Sequence, residues 1–136
     1  MKLLLVGSNP SNASSNNNPF DESTNSGKVL SKWLSWTRGW SSIQFVNVSD
    51  TKSQDNKPLR KSEIVEALPS LESKILKFNP DKIVALGKTA SMALTLLRLP
   101  FFEMPHPSGM NRQLNDPKFI AQKLEELQQY VKSNPN

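Results

Sequence analysis

Cysteine is absent from this chain, histidine occurs once, and glycine only five times in 136 residues. Without cysteine there is no disulfide, no thiolate nucleophile and no sulfur-ligated metal. A lone imidazole argues against a zinc site, which usually needs several nitrogen or sulfur ligands. No glycine-rich phosphate loop and no dinucleotide-binding fingerprint can be found. Nor does any apolar run reach membrane-spanning length, and the opening MKLLLVG is too short for the apolar core of a signal peptide. A soluble, intracellular, cytoplasmic protein that uses no metal and no membrane is therefore expected.

What the chain has in excess is positive charge. Lysine and arginine number 17 against 12 aspartates and glutamates, a formal net charge of +5, which favours a polyanionic partner such as nucleic acid. The hydrophobic share, 36 %, is low. Most of that shortfall falls in residues 8–27, SNPSNASSNNNPFDESTNSG, which read as a polar loop. Residues 1–136 suit one domain built on a single core, with a frayed tail over 133–136.

Four short apolar runs read as strands: KLLLV at 2–6, IQFVNV at 43–48, KIVAL at 82–86 and FFEM at 101–104. The first and third are continuously apolar and end at a glycine, the pattern of strands buried on both faces of a parallel sheet. Helical periodicity lies between them. Val29, Leu30, Trp33 and Leu34 form one apolar stripe, and Ile64, Leu68, Leu71, Ile75 and Phe78 recur at steps of three and four. A third helix runs from Lys88 through Leu97, with Pro100 as its stop. A fourth begins at Asp116, a suitable N-cap before Pro117, and carries Ile120, Leu124, Leu127 and Val131. Alternating strands and helices with right-handed crossovers predict a three-layer α/β/α fold with a central, mainly parallel four-stranded sheet.

In such sheets ligands bind beyond the carboxyl ends of the strands. That rule selects the loop after Val6, the region around Asn47, the turn at Gly87 and the loop after Met104. In the first, GSNPS, a glycine permits a tight turn and Asn9 presents a carboxamide at the rim; taken in isolation, an ordinary Asn-Pro turn is the preferred reading. In the last, MPHPSGMNR, Pro105 and Pro107 restrict the backbone on both sides of His106. Ser108, Gly109, Met110, Asn111 and Arg112 follow, where a small residue allows close approach, Met110 can enter a base stack and Arg112 can meet a phosphate. A lone histidine is more often a satisfied structural residue than a catalyst, so these stretches must be judged together.

Together they resemble the uracil-DNA glycosylase superfamily over almost the whole chain. GSNPS is similar to the Gly-x-Asn-Pro-Gly motif of the mismatch-specific and single-strand-selective branches, and HPSGMNR to their His-or-Asn-Pro-Ser motif. Between them, NPFDESTNSGKVLSKWL, FVNV and PDKIVALGKTASMAL resemble the iron-sulfur branch. Five such matches in the right order carry weight that none has alone. The resemblance implies a strand order of 2-1-3-4. The departures are specific: the four cluster cysteines are missing, with Thr51 and Ala67 near two of their places, so no metal cluster is expected. Ser11 replaces the second glycine of the first motif, and Asn9 stands where other branches carry a carboxylate. The chain is also shorter than most members, as a minimal or virus-encoded version would be.

What the resemblance implies is a monofunctional DNA N-glycosylase acting as a monomer on uracil-containing DNA, single- or double-stranded, without a cofactor. Asn9 and His106 would be catalytic; Ser8, Phe20 and Asn47 would hold the base; Ser108 to Arg112 would engage DNA. The basic stretch KPLRK at 57–61 is a further phosphate contact or simply a solvated loop. Trp33, Trp36 and Trp40 read as core and rim. Two rival readings stay open: a catalytically weak or inactive DNA-binding relative, marked by Asn9 and Ser11, and a nucleoside- or nucleotide-processing α/β enzyme.

Overall fold

A computed structural model of the chain describes residues 2–8, 31–35, 40–49, 59–105 and 116–132. Along the sequence they form β1 (Lys2–Gly7), helical residues 31–35 (α1), β2 (Ser42–Asn47), α2 (Lys61–Phe78), β3 (Lys82–Leu86), α3 (Lys88–Leu96), β4 (Phe102–Met104) and α4 (Pro117–Lys132). The strands make one four-stranded sheet of order β2-β1-β3-β4, every pairing parallel. This is the order the family resemblance implies.

The continuous apolar runs in β1 and β3 follow from their central places. Side chains alternate across a strand, so a central strand with helices on both faces must be apolar at every position. Leu4 and Val6 pack with Ile83 and Ala85 beneath Ile64, Leu71 and Ile75 of α2 and Ala90, Ala93 and Leu94 of α3. Leu3 and Leu5 face the other way, with Val84, Leu86 and Met104, against Trp33 of α1 and Leu127 and Val131 of α4. Two cores thus sandwich the sheet, as the three-layer expectation requires.

The helix ends show local chemistry at work. Asp116 Oδ1 accepts the N–H groups of Lys118 at 3.1 Å and Phe119 at 3.3 Å, so the expected N-cap is present and Pro117 occupies the first helical position, where its missing N–H is harmless. At the start of α2, Glu63 Oε1 accepts the Arg60 backbone N–H at 2.9 Å and its Nε–H at 3.2 Å. Those bonds hold the Glu63 carboxyl below its ordinary pKa. Pro69 lies inside α2 on its exposed side, where the carbonyl it leaves without an amide partner can meet water.

The end of α3 differs from expectation. Leu99 N–H reaches Leu94 O at 3.1 Å and Arg98 N–H reaches Thr95 O at 3.0 Å, with Arg98 left-handed at φ 59. This is a Schellman closure with arginine in the place glycine usually takes. The helix is therefore closed by its own backbone before Pro100 is reached.

The outer edge is finished by a side chain. Strand β4 pairs with β3 only from Val84 to Leu86. One residue earlier, the Tyr130 hydroxyl from α4 accepts the Ile83 N–H at 3.3 Å and donates to the Ile83 carbonyl at 3.1 Å. The ring stacks on Phe102 at 5.4 Å, with Lys82 Nζ 4.7 Å from its centroid. Trp33 is buried, as read from sequence, while Trp40 is half-buried with an indole N–H that finds no acceptor among the described residues.

Candidate functional site

All four strands end at the same edge of the parallel sheet, and α2, α3 and α4 start there. Gly7 and Asn47 are direct partners in the β1–β2 ladder. The ladder continues beyond the strands, with Val48 N–H donating to Gly7 O at 2.9 Å and Ser49 N–H to Ser8 O at 3.0 Å. Ser8 and Asn47, both half-buried, are thereby brought together at the rim.

Gly7 explains how Asn47 fits. The sequence suggested that this glycine serves a tight turn. It is instead the last residue of β1, outside the left-handed region, and what it supplies is space. A Cβ there would lie 2.6 Å from Phe45 Cζ and 2.9 Å from Asn47 Oδ1, closer than real Cβ atoms come. Phe45 and Asn47, two residues apart on one face of β2, both lean across the end of β1. Phe45 escaped the sequence reading; the period-two alternation Ile43, Phe45, Asn47 was the signal that could have found it.

On the other side of the edge, Gly87 N–H donates to Met104 O at 2.9 Å. Gly87 has φ 94 and ψ 178, a conformation open essentially to glycine alone. Met104 is fully enclosed and Pro105 is buried. The chain therefore leaves the sheet at Ser8 from β1 and at Pro105 from β4, with only β3 between them. Two strand spacings amount to roughly 10 Å. Asn9 and His106 are the next residues on these two exits.

Residues 1–128 match the family model of the uracil DNA glycosylase superfamily. The chain belongs to that superfamily. A search of curated proteins returned no match. Uracil DNA glycosylase superfamily proteins are in general DNA glycosylases, and a glycosylase-like function on DNA follows from membership.

Within this superfamily member, Ser8 and Asn47 are the predicted site residues that the structure describes and joins. Asn9, Phe20, Ser108, Gly109, Met110, Asn111, Arg112 and His106 lie outside the described residues, as do Trp36, the loop from residue 9 to 27, and 133–136.

Exposed lysines stand at the starts of the three helices that begin at this rim. Helix N-termini carry partial positive charge, which favours acidic groups nearby; α4 has one in its cap, Asp116, while the first turns of α3 and α4 themselves hold none. Lys88 and Lys118 stand in those turns, both exposed, and the exposed Lys61 opens α2. In α2 the first-turn Glu63 is bound to Arg60 at 3.2 Å. Among the described residues no cluster of three or more His, Cys, Asp or Glu could hold a metal, and no helix is long and apolar enough to cross a membrane.

Proposed function

We propose that this superfamily member hydrolyses the N-glycosidic bond of deoxyuridine in DNA, releasing uracil and leaving an abasic site. The observation that carries the reading is the common rim of Asn47, Ser8 and Pro105, with Asn9 and His106 the residues that follow the last two. The lysines at the helix starts support it by offering cations to a phosphate backbone.

A base inside a duplex is out of reach, so the nucleotide is flipped out or met in a single strand. Ser108, Gly109, Met110, Asn111 and Arg112 engage the DNA, with Met110 filling the gap and Arg112 on a phosphate. Phe20 stacks on the uracil. The Asn47 carboxamide, donor and acceptor at once, pairs with O4 and N3–H; cytosine offers the opposite pattern at these atoms.

In the chemical step the C1′–N1 bond breaks and its electron pair leaves on uracil, while the sugar becomes cationic. His106 donates a hydrogen bond to O2 as charge gathers there, with backbone N–H groups near Ser8 assisting. One such donor contributes roughly 3 kcal/mol. Asn9 positions the water that adds at C1′, whose proton passes to solvent. No side-chain amine attacks the sugar, so the strand is not cut.

The test is incubation with a labelled uracil-containing oligonucleotide, single- and double-stranded, followed by alkaline cleavage at abasic sites. Wild type should yield cleavage, and His106→Ala, Asn9→Ala and Asn47→Ala should each lose about 100-fold or more in rate. His106→Ala should still bind. Wild type that leaves both substrates whole overturns the proposal, and a tight uracil-dependent complex without release would identify a DNA-binding relative instead.

A further inference from the structure

One polar pair on the α3 face of the sheet serves no purpose yet described. Ser91 lies one turn into α3 and is 8 % exposed. Its hydroxyl is 2.8 Å from Glu103 Oε2 in β4 and 3.0 Å from the Gly87 carbonyl. The hydroxyl has one proton and two acceptors. It donates to the nearer and anionic one, since a hydrogen bond to a carboxylate is the stronger kind.

The place of this bond matters more than its strength. Strand β4 is three residues long and, among the described residues, has a single neighbour in the sheet, β3, so few backbone bonds hold it. Two links tie it to the start of α3: Gly87 N–H to Met104 O at 2.9 Å, and Ser91 Oγ to Glu103 Oε2. Glu103 is three residues before His106, and the chain between them passes through buried Pro105. A shift of β4 relative to the Gly87 turn is carried forward along a stretch that proline makes stiff.

We infer that Ser91 and Glu103 are positioning residues for base release: their bond fixes the end of β4, from which the chain runs into His106, against the Gly87 turn. The inference rests on the role given to His106 above. It deepens that role by naming what holds the donor in register with the leaving group. Neither residue touches the substrate.

Single-turnover base release and its substrate dependence are measured on the full chain with the labelled uracil oligonucleotide, for Ser91→Ala, Glu103→Ala, Glu103→Gln, the double variant Ser91→Ala/Glu103→Ala, and Thr95→Ala. Thr95 Oγ1 donates to Ser91 O at 2.7 Å within the same helix and makes no link to β4, so it controls for loss of a hydroxyl. Misplacing a catalytic group by about 1 Å costs about 100-fold. Ser91→Ala and Glu103→Ala should therefore lose about 10- to 100-fold in the maximal rate with half-saturation within about twofold. The double variant should be no slower than the slower single, because both remove one bond. Glu103→Gln keeps an acceptor and should restore the rate to within about threefold; Thr95→Ala should match wild type.

His106 is the only histidine, so its imidazole gives one unambiguous NMR signal that reports position without any reaction. Ser91→Ala and Glu103→Ala should displace that signal in the same direction, and Thr95→Ala should not. Lowered melting temperatures with unchanged maximal rates would make the bond merely stabilising and overturn the inference; so would singles whose losses multiply in the double variant. If wild type releases no base, the glycosylase reading falls, and the NMR signal still decides: an unmoved His106 in both alanine variants sinks the positioning role.

Discussion

Asn47 lies across the end of β1 over Gly7, so close that a Cβ on the glycine would come within 2.9 Å of Asn47 Oδ1 and 2.6 Å of Phe45 Cζ. A methyl group would fit at this position only if those side chains moved. The two side chains keep their place because the neighbouring strand yields it to them. A ring edge and a carboxamide thus share the surface that another side chain would occupy, and the carboxamide is the group proposed to recognise uracil.

Gly7→Ala should accordingly push Phe45 and Asn47 off β1. Overpacking of this kind costs about 1–3 kcal/mol, read from a denaturant melt. The loss in uracil release should exceed what that destabilisation explains, since Asn47 moves with the ring. Adding Phe45→Leu to Gly7→Ala should recover part of the stability. A Gly7→Ala protein with wild-type melting and rate would show that the contact is not tight.

Tyr130 predicts a different kind of behaviour. Burial pushes its phenol above the ordinary pKa of 10.0, only partly countered by the hydrogen bond from the Ile83 backbone. The folded chain thus keeps this proton longer than the unfolded chain. The stability it contributes is complete below about pH 10 and is lost as pH climbs through the raised value. Tyr130→Phe should flatten that alkaline decline. At neutral pH it should cost about 1–3 kcal/mol, because the Ile83 N–H and carbonyl lose their partner. Melts at pH 7 and across the alkaline range distinguish the two effects.

Arg98 offers a gain. Its left-handed backbone, at φ 59, strains any residue with a Cβ, and glycine relieves this at some cost in unfolded-state entropy. Arg98→Gly should stabilise the protein by about 0.5–1 kcal/mol, raising Tm by about 2–5 °C. Arg98→Ala should bring no such rise, since alanine keeps the Cβ. Equal melting of the two variants would locate the effect in the side chain rather than the backbone.

Local chemistry was legible without the structure. The runs in β1 and β3, the α2 stripe through Ile64, Leu71 and Ile75, and the Asp116–Pro117 start of α4 depend on neighbours within a turn or along one strand, so residue order alone determined them. Motif order pointed to the superfamily, though much of the site it implies, from Asn9 and Phe20 to His106 and Arg112, lies outside the described residues. Tertiary structure decided the rest: that Gly7 serves space instead of a turn, that Tyr130 completes the ladder at Ile83, 47 residues away, and that Ser91 meets Glu103. These pairings leave no periodic trace, because they arise only when parallel crossovers bring distant segments to one edge. There a side chain's worth is set by what stands opposite it in space.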